Sequence, residues 1–141
     1  MNIRSKVMTI ANALVRQGVS RSAAMVRAWI TVKMKQFYIK AVGVTHSNRQ
    51  TLLDHLTRCK PEDITITLQR EKDNAHDSNA IQIIAAVRNK GSAVVGYVNK
   101  ELAEALAPLT DKGLAIASGF KAITGGGALY INYGLNLVIT V

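Results

Sequence analysis

The sequence predicts an α+β fold: a small, mostly antiparallel β-barrel with two short helices, preceded by an N-terminal two-helix segment. Three observations predict it. Apolar residues recur at helical spacing up to about residue 35, and the period changes at Gln36. Ile64, Ile66 and Leu68 alternate with Thr65, Thr67 and Gln69, the period-two pattern of a half-buried strand. The resulting order α-α-β-α-β-β-β-α-β-β intersperses helices among several short strands.

Residues 5–17 carry Val7, Ala11, Leu14 and Val15 at helical spacing, with Ser5 as N-cap and Gly18 as terminator. Ser20 or Ser22 caps a second helix with Met25, Val26, Trp29 and Ile30, running to about Lys35. Two helices this short cannot bury both stripes alone, so they must dock on the rest of the chain or on another subunit. Trp29 shares a stripe with Met25 and Val26 and is expected in the core.

Residues 37–44 read as a strand, and 49–58 as a short helix with Leu52, Leu53 and Leu56 on one face. Residues 71–79 form a polar loop, and 80–87 and 93–98 are strands joined by residues 88–92. Asn99 caps a helix from Lys100 to about Lys112, which Pro108 should bend or shorten and Gly113 should end. Residues 114–123 and 135–141 are the last strands, separated by Gly125-Gly126-Gly127. That glycine run lacks the Lys-Ser/Thr of a phosphate-binding P-loop.

The 141 residues suit one domain or a compact domain with an appendage. With 48% hydrophobic and 19% charged residues, the chain is not of a disordered class. The single Cys59 excludes an internal disulfide framework and any Cys-based zinc finger. The net charge of +9 suggests a polyanionic partner, but it is unevenly placed. Arg4, Lys6, Arg16, Arg21, Arg27, Lys33, Lys35 and Lys40 stand in the first forty residues without one acid. The remainder holds ten basic and nine acidic residues. We therefore expect a basic helical hairpin or arm over 1–35 and a nearly neutral domain over 36–141. The apolar run after Lys6 is interrupted by Asn12 and followed by Arg16 and Arg21, unlike a signal peptide, and residues 122–141 are too broken by Gly and Asn to span a membrane. The expected setting is cytoplasmic.

The least generic segment is Arg70 to Ile81, which gathers acids, amides and His76 before an apolar strand. Its side chains can fold back as Asx-turns on their own backbone, or they can bind a ligand. A calcium loop fails on spacing, since Ala75, Ser78 and the absence of a twelfth-position Glu break the pattern from Asp73. His46 and His76 sit at two loop ends, and two loosely spaced histidines with Asp77 make a poor metal signature. His55 reads as solvated and Cys59 as structural. No nucleophile-base pairing is visible, so no enzyme, metal or cofactor is expected.

Arg70-Glu71 followed by Asn74, Asp77 and Asn79-Ala80-Ile81, then Val95-Gly96-Tyr97-Val98 with Lys100-Glu101-Leu102-Ala103, resembles the HIRAN domain, as does Ala41-Val42-Gly43-Val44 before a short helix. The resemblance covers residues 36–141. It implies an OB-like or SH3-like barrel that binds DNA and, in fork-remodelling relatives, captures a single-stranded 3′ end in DNA repair. HIRAN domains occur fused to helicase-like or nuclease enzymes and as small prokaryotic or phage proteins. A chain of this length leaves no room for such an enzyme, so a free-standing module is expected.

The resemblance also implies site residues. The stacking aromatic after the first Val-Gly corresponds to His46, preceded by Thr45, and a Tyr-Asp pair that holds the terminal nucleotide corresponds to His76-Asp77, with Asp77 accepting from the 3′-hydroxyl. Lys100 matches the phosphate-neutralising base at the helix start, Tyr97 a backbone contact, and Ile123 a late-loop aromatic. Histidine is a smaller stacking surface than tyrosine and isoleucine offers none, where base stacking contributes roughly 1–3 kcal/mol per base. Arg16, Arg21, Arg27, Lys33 and Lys35 would add non-specific phosphate contacts. The expected partner is nucleic acid, DNA ahead of RNA. The alternative is a protein-interaction or inhibitor module of a phage or mobile element acting on a host nucleoprotein, with its helices docking a partner or a second copy; no membrane is expected.

Overall fold

Asn2, and not Ser5, caps the first helix: its side chain accepts the Ser5 N–H at 2.8 Å, so α1 (Ile3–Arg16) starts earlier than the apolar spacing suggests. The chain reverses at Gly18, whose φ of +98° suits glycine, and Ser20 caps α2 (Arg21–Met34). In this computed structural model the described residues are 1–126 and 131–141; Gly127 of the glycine run lies outside them. The remaining elements are β1 (Gln36–Lys40), α3 (Arg49–Leu56), a 3-10 turn Pro61–Asp63, β2 (Ile64–Arg70), β3 (Ile81–Val87), β4 (Gly91–Tyr97), α4 (Lys100–Asp111), β5 (Ala117–Thr124) and β6 (Gly134–Thr140).

The α+β class and the order of helices and strands agree with the sequence. The strands, however, do not close into one barrel. They form two antiparallel sheets, β1-β6-β5 and β2-β3-β4. The expected strand over 37–44 stops at Lys40 because the chain changes partners. Ala41 donates to Leu135 O on one sheet at 2.9 Å, and Val42 then exchanges both backbone bonds with Tyr97 of the other, each 2.9 Å. Gly43, at φ +70°, turns the chain away after that single bridge. At the opposite border, contact between β2 and β5 includes a side-chain bond, Ser118 Oγ to Ile66 O at 2.8 Å, but no ladder.

Leu53, Ile81, Ile83, Leu106, Leu135 and Leu137 fill the space between the sheets, α3 and α4. Burying each such side chain contributes about 1.5–3 kcal/mol relative to exposure. A second core joins the N-terminal helices to α4: Val7, Ile10 and Leu14 of α1 and Ala24 and Ala28 of α2 meet Ala105 and Leu109. The helices therefore dock on their own chain.

The buried side of α2 reverses the expectation for Trp29. Ala24, Ala28, Thr31 and Val32 face inward, whereas Val26, Trp29, Ile30 and Met34 are exposed. Alanines let α2 approach closely, and the larger side chains are left outside. Thr31 is satisfied by donating to Arg27 O at 2.9 Å. Asn99 caps α4 as expected, accepting the Leu102 N–H at 3.0 Å, and the helix continues through Pro108 to Asp111. Among the described residues no helix is long and apolar enough to cross a membrane.

Candidate functional site

The polar loop between β2 and β3 is folded by its own side chains. Asn74 Oδ1 accepts the His76 and Asp77 N–H groups at 2.8 and 3.0 Å, and Asp77 Oδ1 accepts the Asn79 N–H at 2.9 Å. These are Asx-turn bonds, the first of the two readings of this loop. They do not use up the carboxylate: among the described residues Asp77 Oδ2 accepts no hydrogen bond. Glu71 anchors the loop below. Its Oε1 accepts from Asn74 at 2.9 Å, and its Oε2 accepts from Tyr97 Oη at 2.9 Å and from Gln82 Nε2.

The facing wall is built where β1 changes sheets. A Cβ on Gly96 would stand 2.8 Å from Val42 O, so glycine is what lets the two strands approach there. Gly43 faces Tyr97, His46 and Arg49, each within 4 Å of where its Cβ would be. Arg49 Nη1 donates to Gly43 O at 2.6 Å, and its guanidinium lies 5.2 Å from the centre of the Tyr97 ring. The chain turn over 43–48 is thereby pinned to β4.

Between these walls lies an open hollow of about 410 Å³, lined by Val42, Gly43, His46, Arg49, Asn74, His76, Asp77, Ala80, Tyr97, Val98 and Lys100. It brings together His46, His76, Asp77, Tyr97 and Lys100 from four separate segments. Thr45 is exposed in the turn beside His46 and does not line the hollow. Ile123 pairs with Leu135 in the β5–β6 ladder and packs against the main core, away from the hollow. Sequence reasoning missed two residues here. Arg49 reads as the first residue of a helix, and only its reach back across the Gly43 turn brings it in. Glu71 reads as one acid among several, and its role depends on Tyr97, twenty-six positions later.

The hollow's charges are the cations of Arg49 and Lys100 and the carboxylate of Asp77. Lys100 is the first residue of α4 and brings the start of that helix to the border of the hollow. Among the described residues no three His, Cys, Asp or Glu side chains gather closely enough to hold a metal ion. A larger hollow of about 780 Å³ lies between α1 and the C-terminal end of α4 and shares none of these residues.

The basic residues of the first two helices do not line the site. Arg27 is paired with Glu104 at 3.3 Å, and Lys33 lies over Trp29, 5.5 Å from its centroid. Arg16 borders the larger hollow, and Arg21 and Lys35 are exposed. The described link between hairpin and site loop is the bond from Asn79 Nδ2 to Gln17 Oε1, 3.2 Å.

The open hollow, with one unengaged carboxylate oxygen, two imidazoles and two cations, is set where the chain passes between the two sheets of a small α+β domain. The chain matches the family described as HIRAN domain over residues 34–136, and it belongs to that family. Among solved structures it is similar to a protein from Lactobacillus plantarum, at 22% identity and a TM-score of 0.48, covering 72% of this chain and 89% of that one. It is also similar to the HIRAN domain of human HLTF, at 25% identity and a TM-score of 0.48, covering 74% and 73% of the two chains. No curated protein gives a significant match.

Proposed function

We propose that this chain binds DNA and holds the 3′ end of a single strand in the hollow between the 43–49 turn and the 71–79 loop. Membership in the HIRAN family supports nucleic-acid binding. The observation that carries the finer reading is Asp77, with Oδ1 held by the Asn79 N–H and Oδ2 left to accept from a hydroxyl. At about 410 Å³ the hollow is in the range of ligand pockets, roughly 300–1,000 Å³. Arg49 and Lys100 then meet phosphate, and His46 and His76 offer their ring faces to bases. A 3′-phosphate in place of the hydroxyl brings a dianion against the Asp77 carboxylate and is disfavoured.

The test is binding of labelled single strands ending in a 3′-hydroxyl or a 3′-phosphate. The hydroxyl strand is expected to bind roughly 10- to 100-fold tighter, the range for a hydrogen bond to a charged group, and Asp77→Asn should reduce that preference. Equal affinity in the unaltered chain removes Asp77 from this role.

A second reading rests on α2, whose Val26, Ile30 and Met34 are 59, 53 and 55% exposed on one side. Such a face supports docking to a protein, either a host nucleoprotein or a second copy. Under this reading an Asp77→Ala/Lys100→Ala chain keeps its biological effect, and Val26→Ser/Ile30→Ser loses it.

A further inference from the structure

We propose that the outer face of the β1-β6-β5 sheet is a second single-strand contact, along which DNA runs on from the hollow, with Tyr38 as its stacking platform. The inference rests on the proposed reading of the hollow and extends it.

Along β1 the side chains alternate. Phe37 and Ile39 pack against the core, and Tyr38, Lys40 and then Val42 face out. Val42 lines the hollow. One row of side chains therefore leads from the hollow to Tyr38, a distance of about 13 Å at ~3.3 Å per residue. Tyr38 is 70% exposed, more than any other large apolar or aromatic residue among those described, and it has no packing reason to be aromatic. In the next two strands the register sets Val138 and then Gly119 level with it, both smaller than the ring.

Charge completes the case. β1, β5 and β6 contain no Asp or Glu. Lys121 is set out by the irregularity between Phe120 and Ala122, and its ammonium lies 5.4 Å from the centre of the Tyr38 ring. Lys40 reaches across β6 over Gly134. Neither lysine joins an ion pair among the described residues. An exposed aromatic ring with two unpaired cations on the same acid-free sheet suits a polyanion with flat bases. A base that stacks on Tyr38 displaces Lys121 from the ring, and the ammonium turns to the adjoining phosphate. A duplex would bury its base faces and leave Tyr38 unused.

The test compares a thymidine dinucleotide, which fills only the hollow, with a long oligothymidylate on the full chain. The long strand is expected to bind at least about fivefold tighter, the lower end for one stacked base. Tyr38→Ala should remove that gain, Tyr38→Phe should keep it, and dinucleotide affinity should stay constant. Equal affinity for the two strands, or a Tyr38→Ala chain with undiminished long-strand binding, overturns this inference and leaves the hollow's reading intact. Binding of the long strand that ignores Asp77→Asn but falls with Tyr38→Ala supports the sheet face and sinks the hollow. If neither strand binds, both fall.

Discussion

The Tyr97 hydroxyl donates to Glu71 Oε2 at 2.9 Å, joining the strand that meets Val42 to the base of the loop that presents Asp77. Glu71 is only partly exposed and also receives Asn74 and Gln82. Glu71→Ala should leave three donors without their acceptor, lowering unfolding free energy by about 1–3 kcal/mol. Tyr97→Phe removes one of these three bonds and should cost less than Glu71→Ala. Urea denaturation of the two variants checks the order. A Glu71→Ala chain as stable as the parent would remove Glu71 as the anchor of the loop.

Gly96 should resist replacement although its backbone is ordinary. A Cβ there meets the Val42 carbonyl at 2.8 Å and the Ala41 and Val44 side chains at 3.2 Å. Gly96→Ala should push the two strands apart, at about 1–3 kcal/mol for overpacking. The midpoint of thermal unfolding is expected to fall, and amide exchange at Val42 and Tyr97 to quicken.

Acid should loosen the end of α4. The Arg70 guanidinium donates twice to Asp111, at 2.9 and 3.2 Å, with Lys72 nearby at 3.7 Å. The Arg70 bond is the main reason the Asp111 carboxyl lies below its ordinary value, against an opposing effect of burial. A depressed folded value means that the stabilisation is complete above the unfolded value, about 3.9, and is lost as pH falls through the folded one. The stability gap between the parent and Asp111→Asn should therefore be constant near neutrality and close below about pH 4. A gap that persists at the acid end would show that the carboxylate charge is not what Arg70 needs.

If the N-terminal helices touch phosphate, salt will reveal it. Replacing Arg21, Lys33 and Lys35 with Gln keeps the helices docked, whereas removing them would bare Ala105 and Leu109. For a single strand the log-log salt slope should shrink by about 0.7 for each phosphate that is no longer neutralised. An unchanged slope would assign these charges to solvent.

Where local chemistry decides the outcome, the sequence is readable. The Ile64–Gln69 alternation lies in β2, Asn99 does cap α4, and the amides of the 71–79 loop do bond to its backbone. His46, His76, Asp77, Tyr97 and Lys100 do share one hollow. What escaped depends on relations across space. The large apolar residues of α2 suggested a core face, yet the alanines took it because close helix approach favours small side chains. Ile123 lies opposite Leu135 because the β5–β6 register, which no single segment encodes, turns it toward the core. The two sheets stay separate because pairing at one border stops after the Val42–Tyr97 bridge, where Gly43 turns the chain, and no ladder forms between β2 and β5 at the other.

α4 belongs to two interiors at once, giving Leu102, Ala103 and Leu106 to the sheets and Ala105 and Leu109 to the hairpin. Its first residue is Lys100, so the element that carries a cation to the hollow is also the floor on which the hairpin rests. This couples the two pieces physically. A relative that lost the hairpin would need new side chains on that flank of α4, polar ones in place of Ala105 and Leu109.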